Sequence, residues 1–266
     1  MLDLLNPRED AMKIAEALDI MWSANQQGDH FPAALRGKLS LDEGCAVQLG
    51  MLARRVEGGE TQAGWKIGLT SPAVREVFGA DAPVFGYLLE RGIYPAGHAF
   101  DFDAMQVPCV ESELCITMGS HLQGPGITRD AVLDALASVA PSYEILERRA
   151  DLRADLALGI ADNVLQMGFV PGQDVKPFPR ELDLSGIEAE ILTNDQTFLK
   201  CVSRDVIENQ LDSIAWLANK LAEFGKSVEA GQRIMSGSYY PPNPVNKGEQ
   251  WNTSFSGVGQ VAVSFV

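Results

Sequence analysis

Histidine is scarce in this chain of 266 residues, three in all, and the four cysteines (Cys45, Cys109, Cys115 and Cys201) show no C-x-x-C spacing. A zinc knot and a secreted disulfide framework are both excluded by that pattern, and reduced, mostly buried thiols are expected. Basic residues are also few, 21 against 36 acidic ones, giving a formal net charge of -15. A nucleic-acid backbone or an anionic membrane would be repelled, so neither is expected as a partner. No apolar run reaches the roughly 18 residues of a membrane-spanning helix. The stretch from Met1 to Ala11 carries acids and a proline where a signal peptide has a basic stretch and an apolar core, so a cytoplasmic protein is expected. Internal repeats, low-complexity tracts and long linkers are absent as well.

What is present is a chain 46% hydrophobic, long enough to bury a substantial core. The first 60 residues predict helices. Ala11, Ile14, Ala15, Leu18, Met21 and Trp22 recur at helical spacing, and a second helix runs from about Leu41 to Arg55. Ser40 followed by Glu43 is a capping-box pattern that marks the start of this helix, and Gly58-Gly59 ends it. From Gly64 onward short strands alternate with helices. Asn194-Asp195 predicts a hairpin between Glu188–Thr193 and Phe198–Val202, and Val261, Val263 and Phe265 alternate in a last strand. A late helix carries Ile207, Leu211, Ile214, Ala218, Leu221 and Ala222 near one face, with Gly225 at its end. The class is α+β, divided as an N-terminal helical segment (1–62) and one compact unit (63–266).

Two segments carry candidate chemistry. In the stretch from Val107 to Thr117, Val110, Leu114 and Ile116 alternate with Glu111, Glu113 and Cys115, a strand pattern. Residues two apart on a strand share a face, so the two carboxylates point the same way, roughly 7 Å apart, and call for a counter-charge. Glu144, embedded in Pro141-Ser-Tyr-Glu-Ile-Leu, would complete a hard, oxygen-rich site suited to magnesium or manganese rather than zinc or copper. A solvated sheet face is the alternative reading of Glu111 and Glu113. Gly64-Trp-Lys-Ile-Gly-Leu-Thr-Ser71 sets Lys66 in an otherwise apolar strand. Desolvation there lowers a lysine pKa, and either protonation state is useful, as a cation for a carboxylate or as a base. An edge-strand lysine reaching to solvent is the bland alternative.

Together, Gly64–Ser71, Phe78–Leu88, Val110-Glu-Ser-Glu113, Tyr143-Glu-Ile145, Ala161-Asp-Asn163, Ala215–Lys220, Gly231–Gly237 and Gly257–Val263 resemble the 2-hydroxypenta-2,4-dienoate hydratase and 4-oxalocrotonate decarboxylase family of the fumarylacetoacetate-hydrolase-like superfamily. The resemblance runs from about Phe31 to the C-terminus. It implies a mixed β-sheet core of the roll or sandwich kind with N-terminal helices. It further implies Mg2+ or Mn2+ on Glu111, Glu113 and Glu144, an active-site Lys66, and a pocket containing Leu69, Thr70, Ser71, Asn163, Ser236 and Gly237. The substrate it implies is a small anionic 2-oxo or 2-hydroxy-dienoic acid, turned over by a homo-oligomer. Pairing of a catalytically silent chain with an active family relative is a further arrangement of the same resemblance.

The chain departs from the family in four places. Many hydratases carry Pro-Asp-Phe-Gly where Pro83-Val-Phe-Gly86 stands, a change toward the decarboxylase branch. Asp81, nearby though not equivalent, is the carboxylate left for proton transfer. Val164, Leu165 and Gln166 replace small or hydroxyl residues, and Tyr239-Tyr-Pro-Pro242 replaces a smaller stretch, so Leu165, Gln166 and Tyr239 are expected on an altered pocket wall. Glu147 replaces a usual aspartate. Hydration is the first expected reaction and decarboxylation the second. Carbon–carbon hydrolysis of an acylpyruvate, with His30 in a His-Glu pair, is the third.

Overall fold

The computed structural model describes the backbone of residues 7–266 and side chains from Lys13 onward. The N-terminal reading of Met1 to Ala11 therefore lies largely outside the described residues. The helices are α1 (Pro7–Gln26), α2 (Leu41–Glu57), α3 (Pro72–Phe78), α4 (Arg129–Ala135), α5 (Leu156–Ala161), α6 (Ser203–Val206) and α7 (Gln210–Glu223). The strands are β1 (Gln62–Gly68), β2 (Val84–Leu89), β3 (Ala99–Phe100), β4 (Pro108–Met118), β5 (Leu136–Glu147), β6 (Gln166–Pro171), β7 (Glu188–Thr193), β8 (Gln196–Val202), β9 (Arg233–Ser238), β10 (Asn243–Pro244), β11 (Gln250–Phe255) and β12 (Gly259–Phe265).

Local chemistry places several of these boundaries. The Ser40 hydroxyl accepts from the Glu43 N–H while the Glu43 carboxylate accepts from the Ser40 N–H, the reciprocal cap that starts α2. Asn194 and Asp195 both take the left-handed backbone that closes the β7–β8 hairpin. The late helix starts later than expected. Asn209 caps α7 by accepting from the Leu211 and Asp212 N–H groups, and Ile207 falls outside it, buried after the short α6. On α1, Ala17 and Met21 are buried whereas Ala15 is exposed.

The strands form two sheets. One runs β2-β1-β9-β4-β5-β6, with β10 paired to β4, and the other runs β3-β12-β11-β7-β8. Pairing is mostly antiparallel, the exceptions being β1 with β9 and β12 with β3. Beyond β2 the chain reaches across to β6: Ile93 bridges Phe169, and the Tyr94 N–H donates to the Phe169 carbonyl at 2.9 Å. The edges of the larger sheet are thereby joined, and it curls into a roll with an inside and an outside. Such closure also removes exposed sheet edges.

Alternation then sorts the side chains. On the outer face of β4 and β5, Ser112 and Tyr143 both meet Thr253 of β11 through hydroxyl contacts of 2.6 Å, tying the second sheet on. Val110, Leu114 and Ile145 are buried in the same large core. The floor of the roll is filled by Leu88, Cys115, Ala140, Phe169 and Met235. Against the β2 edge lies α2, whose buried Gln48 donates to the carbonyls of Phe85 and Ile160, clamping strand and α5 together. Cys45, Leu49 and Leu52 of α2 join the main core, so the N-terminal helical segment shares its packing with the sheet. Among the described residues no helix is long and apolar enough to cross a membrane.

Candidate metal centre

Glu111 and Glu113 lie two apart on β4 and face into the roll. The β4–β5 register sets Glu144 directly opposite Glu111, so three carboxylates converge from two paired strands, each offering an oxygen within 4.8 Å of the others. They are 8%, 1% and 1% exposed for Glu111, Glu113 and Glu144, which overturns the solvated-face alternative. Lys66, on β1 and 3% exposed, puts Nζ 3.2 Å from Glu144 Oε1. The edge-strand alternative for this lysine falls with it, since β1 is flanked by β2 and β9.

Charge is not balanced here. With all three carboxylates ionised, one ammonium would leave two negative charges in a buried space, a costly arrangement without a partner. Burial, then Glu144, raise the Glu111 pKa to about 8, with Lys66 and the Ser238 hydroxyl acting against the rise. Burial, Glu144 and Glu111 push Glu113 well above the ordinary carboxylate value, opposed by the Gly237 N–H and Lys66. Glu144 is raised by burial and eased by Lys66. Burial alone would depress Lys66, but the three glutamates outweigh it and hold its pKa above the usual lysine value. Both Glu144 oxygens lack a hydrogen-bond donor, the Lys66 contact being an ion pair poorly aligned for one. Orphaned carboxylate oxygens, an excess of two negative charges and an all-oxygen donor set fit a divalent hard cation such as magnesium or manganese.

Backbone close to the cluster is shaped for it. The Gly237 N–H donates to Glu113 Oε2 at 3.0 Å, and Gly237 has φ +119 with Thr70 so close that an added Cβ would stand 2.7 Å from its hydroxyl. At Gly86 an added Cβ would meet Asn163 Oδ1 at 2.9 Å and Lys66 Cγ at 3.1 Å, so glycine there lets the lysine stem and Asn163 lie side by side. Asn163 accepts from the Tyr87 N–H and donates to the Tyr87 carbonyl, at 2.7 and 2.9 Å. Asn163, Val164 and Leu165 form one left-handed turn, with φ of 63, 53 and 62. No glycine relieves it, and left-handed backbone costs about 1–2 kcal/mol per residue.

Arg149 holds that turn in place. Its guanidinium donates to Asp162 Oδ2 and to the carbonyls of Asp162 and Gln166, bracketing the strained residues. Asp162 in turn meets His30 Nδ1 at 3.0 Å, and His30 meets Asn25. His30, Arg55, Arg149, Asp162 and Gln166 line a cavity of about 240 Å³ outside the roll. His30 is thus engaged with Asp162 and Asn25, not with a glutamate of the cluster, which removes the pairing that the hydrolytic reading requires.

The remaining expected site residues are spread more widely. Thr70 is buried beside Gly237, and Leu69, with φ 56, packs partly buried on the main core. Ser71 caps α3 by accepting from the Val74 N–H. The Ser236 hydroxyl turns to the Leu114 carbonyl at 2.9 Å, away from a pocket role. Leu165 packs with Cys109 and Leu146, and Gln166 is half-buried at the outer cavity. Tyr239 is corrected: it is fully buried against Phe255 rather than on a pocket wall, because its N–H pairs with the Ser112 carbonyl and turns the ring toward the second sheet. Asp81 is corrected as well. It is exposed in the turn between α3 and β2, and among the described residues no ion pair joins it to the buried groups.

No family model matches the chain. It is 32% identical over 231 residues to a 2-hydroxyhexa-2,4-dienoate hydratase of Comamonas testosteroni, covering 86% of this chain and 87% of the relative. Against a 2-oxo-hept-4-ene-1,7-dioate hydratase of Escherichia coli it is 30% identical over 237 residues, covering 86% and 88%. Among solved structures it superposes on a 4-oxalocrotonate decarboxylase of Pseudomonas putida G7, complexed with magnesium and adipate, with a TM-score of 0.83, 26% identity and coverage of 97% and 98%.

Proposed function

This chain belongs to the family of 2-hydroxy-2,4-dienoate hydratases and 4-oxalocrotonate decarboxylases, of fumarylacetoacetate-hydrolase-like fold, and from that premise we propose that it is a metal-dependent hydro-lyase. The reaction is addition of water to a 2-hydroxy-2,4-dienoate, through its 2-oxo-4-enoate form, to give a 4-hydroxy-2-oxo acid. The observation that carries this reading is the buried cluster of Glu111, Glu113 and Glu144 with Lys66 beside it. Glu111, Glu113 and Glu144 would hold magnesium or manganese, which when bound would supply Lewis-acid stabilisation for negative charge on the substrate's C2 oxygen.

The chain's own residues do the rest. The Gly237 N–H orients Glu113, and the β4–β5 ladder fixes Glu111 against Glu144. Lys66 holds a proton next to Glu144, placed to deliver or receive it as the dienol and keto forms exchange. The apolar floor of Leu88, Cys115, Phe169 and Met235 excludes bulk water from below and strengthens every charge interaction above it. A homo-oligomer belongs to the same proposal.

Decarboxylation of a 4-oxalocrotonate-type acid is the second reading, supported by Val84 in place of an acid and by the fold match to the decarboxylase. An ultraviolet assay of magnesium-loaded protein with 2-hydroxypenta-2,4-dienoate and 4-oxalocrotonate in parallel, with products identified by mass, separates the two. Gain of water by the first compound establishes the hydratase, and loss of CO2 from the second the decarboxylase. Inactivity on both with metal bound overturns the lyase reading.

A further inference from the structure

The backbone that leaves β1 turns at once. Pairing with β2 ends at Gly68 and Val84, and Leu69 then takes left-handed backbone, φ 56, with no glycine to relieve it. An added Cβ at Gly68 would meet Val84 Cγ2 at 3.2 Å and Val164 Cγ1 at 3.9 Å, so Val164 of the second left-handed turn comes up beside the first. Past the sheet the Leu69 and Thr70 carbonyls have no ladder partner, and among the described residues no backbone N–H reaches either of them. Backbone carbonyls away from water call for a donor.

Arg75 supplies it. Ser71 and Pro72 start α3, and one turn of that helix brings residue 75 back over the chain that precedes it. Its Nη1 donates to the Leu69 carbonyl and to the Thr70 carbonyl, at 3.2 Å each. Nη1 carries two N–H groups, so this nitrogen is fully engaged by backbone and has none left for a bound acid. Nη2 donates to Glu208 Oε2 at 3.2 Å. The Glu208 side chain is 59% exposed against 16% for Arg75, so the ion pair is the solvent-facing half of the arrangement and contributes little.

The turn that Arg75 holds leads to the cluster. Thr70 is packed against Gly237, where an added Cβ would stand 2.7 Å from its Oγ1 and 2.8 Å from its Cγ2, and the Gly237 N–H orients Glu113. The glutamates themselves stand on the β4–β5 ladder, which Arg75 does not touch. We propose that Arg75 is a positioning residue: it clamps the Leu69–Thr70 turn through two backbone carbonyls and so fixes the wall that Thr70 and Gly237 present beside the metal cluster. Substrate seating depends on this clamp, and metal binding does not. Its effect on turnover rests on the lyase reading, whereas the clamp itself is a property of the backbone.

The test compares R75A, R75K and E208Q with wild type. Hydrogen exchange of the magnesium-loaded proteins is followed by mass spectrometry over residues 68–78 and 108–118. In R75A protection falls across 68–78 and keeps its wild-type level across 108–118. E208Q changes neither, and R75K, a point charge on a flexible stem, keeps part of the protection. Magnesium affinity, read by calorimetry, stays at the wild-type value in R75A. Turnover of the acid that the wild type accepts falls by about tenfold to a hundredfold, the scale of a small misplacement at the site. Guanidinium below denaturing concentration fills the space left in R75A and restores protection and turnover, and sodium chloride at equal ionic strength does not. Unchanged exchange across 68–78 in R75A, turnover near wild type, or an effect of E208Q equal to that of R75A overturns the inference. A loss of magnesium affinity matching the loss of turnover overturns it as well. A wild type inactive on both acids overturns the lyase reading, and the exchange pattern with its guanidinium rescue then decides the clamp alone.

Discussion

Among the described residues, Lys66 and Glu144 form the one close ion pair inside the roll, 3.2 Å apart, yet neither oxygen of Glu144 receives an aligned hydrogen bond. The pair is therefore half of an arrangement that a cation completes. Replacing Lys66 by Met tests what the lysine adds. Turnover falls by about 10²–10⁴-fold, the range for loss of a proton-transfer group, while magnesium affinity at pH 8 holds or rises because a competing positive charge has gone. Isothermal titration and steady-state rates read the two separately. Near-normal turnover would reduce Lys66 to a counter-charge.

Glu113→Gln removes one ligand and one negative charge. Magnesium binding weakens, turnover drops by orders of magnitude, and the fold is kept, because the glutamine amide fills the same space. In metal-free protein the variant melts no lower than wild type, since one of three crowded buried carboxylates has been neutralised. Differential scanning calorimetry with and without magnesium checks both statements, and normal metal-dependent turnover would remove Glu113 from the site.

Stability depends on pH in a direction set by the raised carboxylates. Between the ordinary value of 4.5 and about 8, folded metal-free protein keeps a proton on Glu111 that the unfolded chain has released. Native protein binds more protons across that window, so its stability falls as pH rises, by up to about 1.4 kcal/mol per pH unit for one such group. Glu113 and Glu144 shift the same way. Magnesium needs the ionised forms, so its stabilising effect is largest near pH 8 and small near pH 5. Melting curves over this range, with and without magnesium, read the slope, and a metal-free protein that gains stability from pH 5 to 8 would contradict it.

Arg149→Met leaves Asp162 buried without its cation and frees the left-handed turn at Asn163–Leu165. A loss of about 3–5 kcal/mol is expected, as for other broken buried pairs, with a fall in kcat because Asn163 and the Lys66 stem both stand close against Gly86. Urea denaturation gives the first quantity. A variant with unchanged stability would show that the turn is held by other contacts.

These residues also mark where sequence reading succeeds and stops. The Glu111–Glu113 pair was legible because strand alternation has a period of two and Val110, Leu114 and Ile116 alternate with the carboxylates. The capping box at Ser40 and the Asn-Asp hairpin were legible for the same kind of local reason. The placement of Glu144 opposite Glu111 depends on strand register over 33 positions, which no local pattern specifies; the sequence offered Glu144 as a candidate third carboxylate, and family resemblance joined it to the other two. The left-handed turn at Asn163–Leu165 was invisible because it contains no glycine, and Val164 argues locally for extended backbone. Arg149 was missed with it, since its partners are carbonyls and an aspartate brought close only by the fold. The paired arginines Arg148-Arg149 were a signal that could have been weighed. Tyr239 was misjudged because a bulky residue beside a pocket segment can face either sheet, and alternation sent it to the core.

The three glutamates stand on the paired backbone of β4 and β5, while Val84 and the Asn163–Leu165 turn stand at a strand end and a connection. Central ladders resist change, whereas connections accept substitution and insertion readily. One end of the bound acid is therefore inherited with the fold itself, and the other is open to revision over evolutionary time. A lineage can move from one dienoic acid to another by editing these connections, with the reacting end of the molecule never relearned.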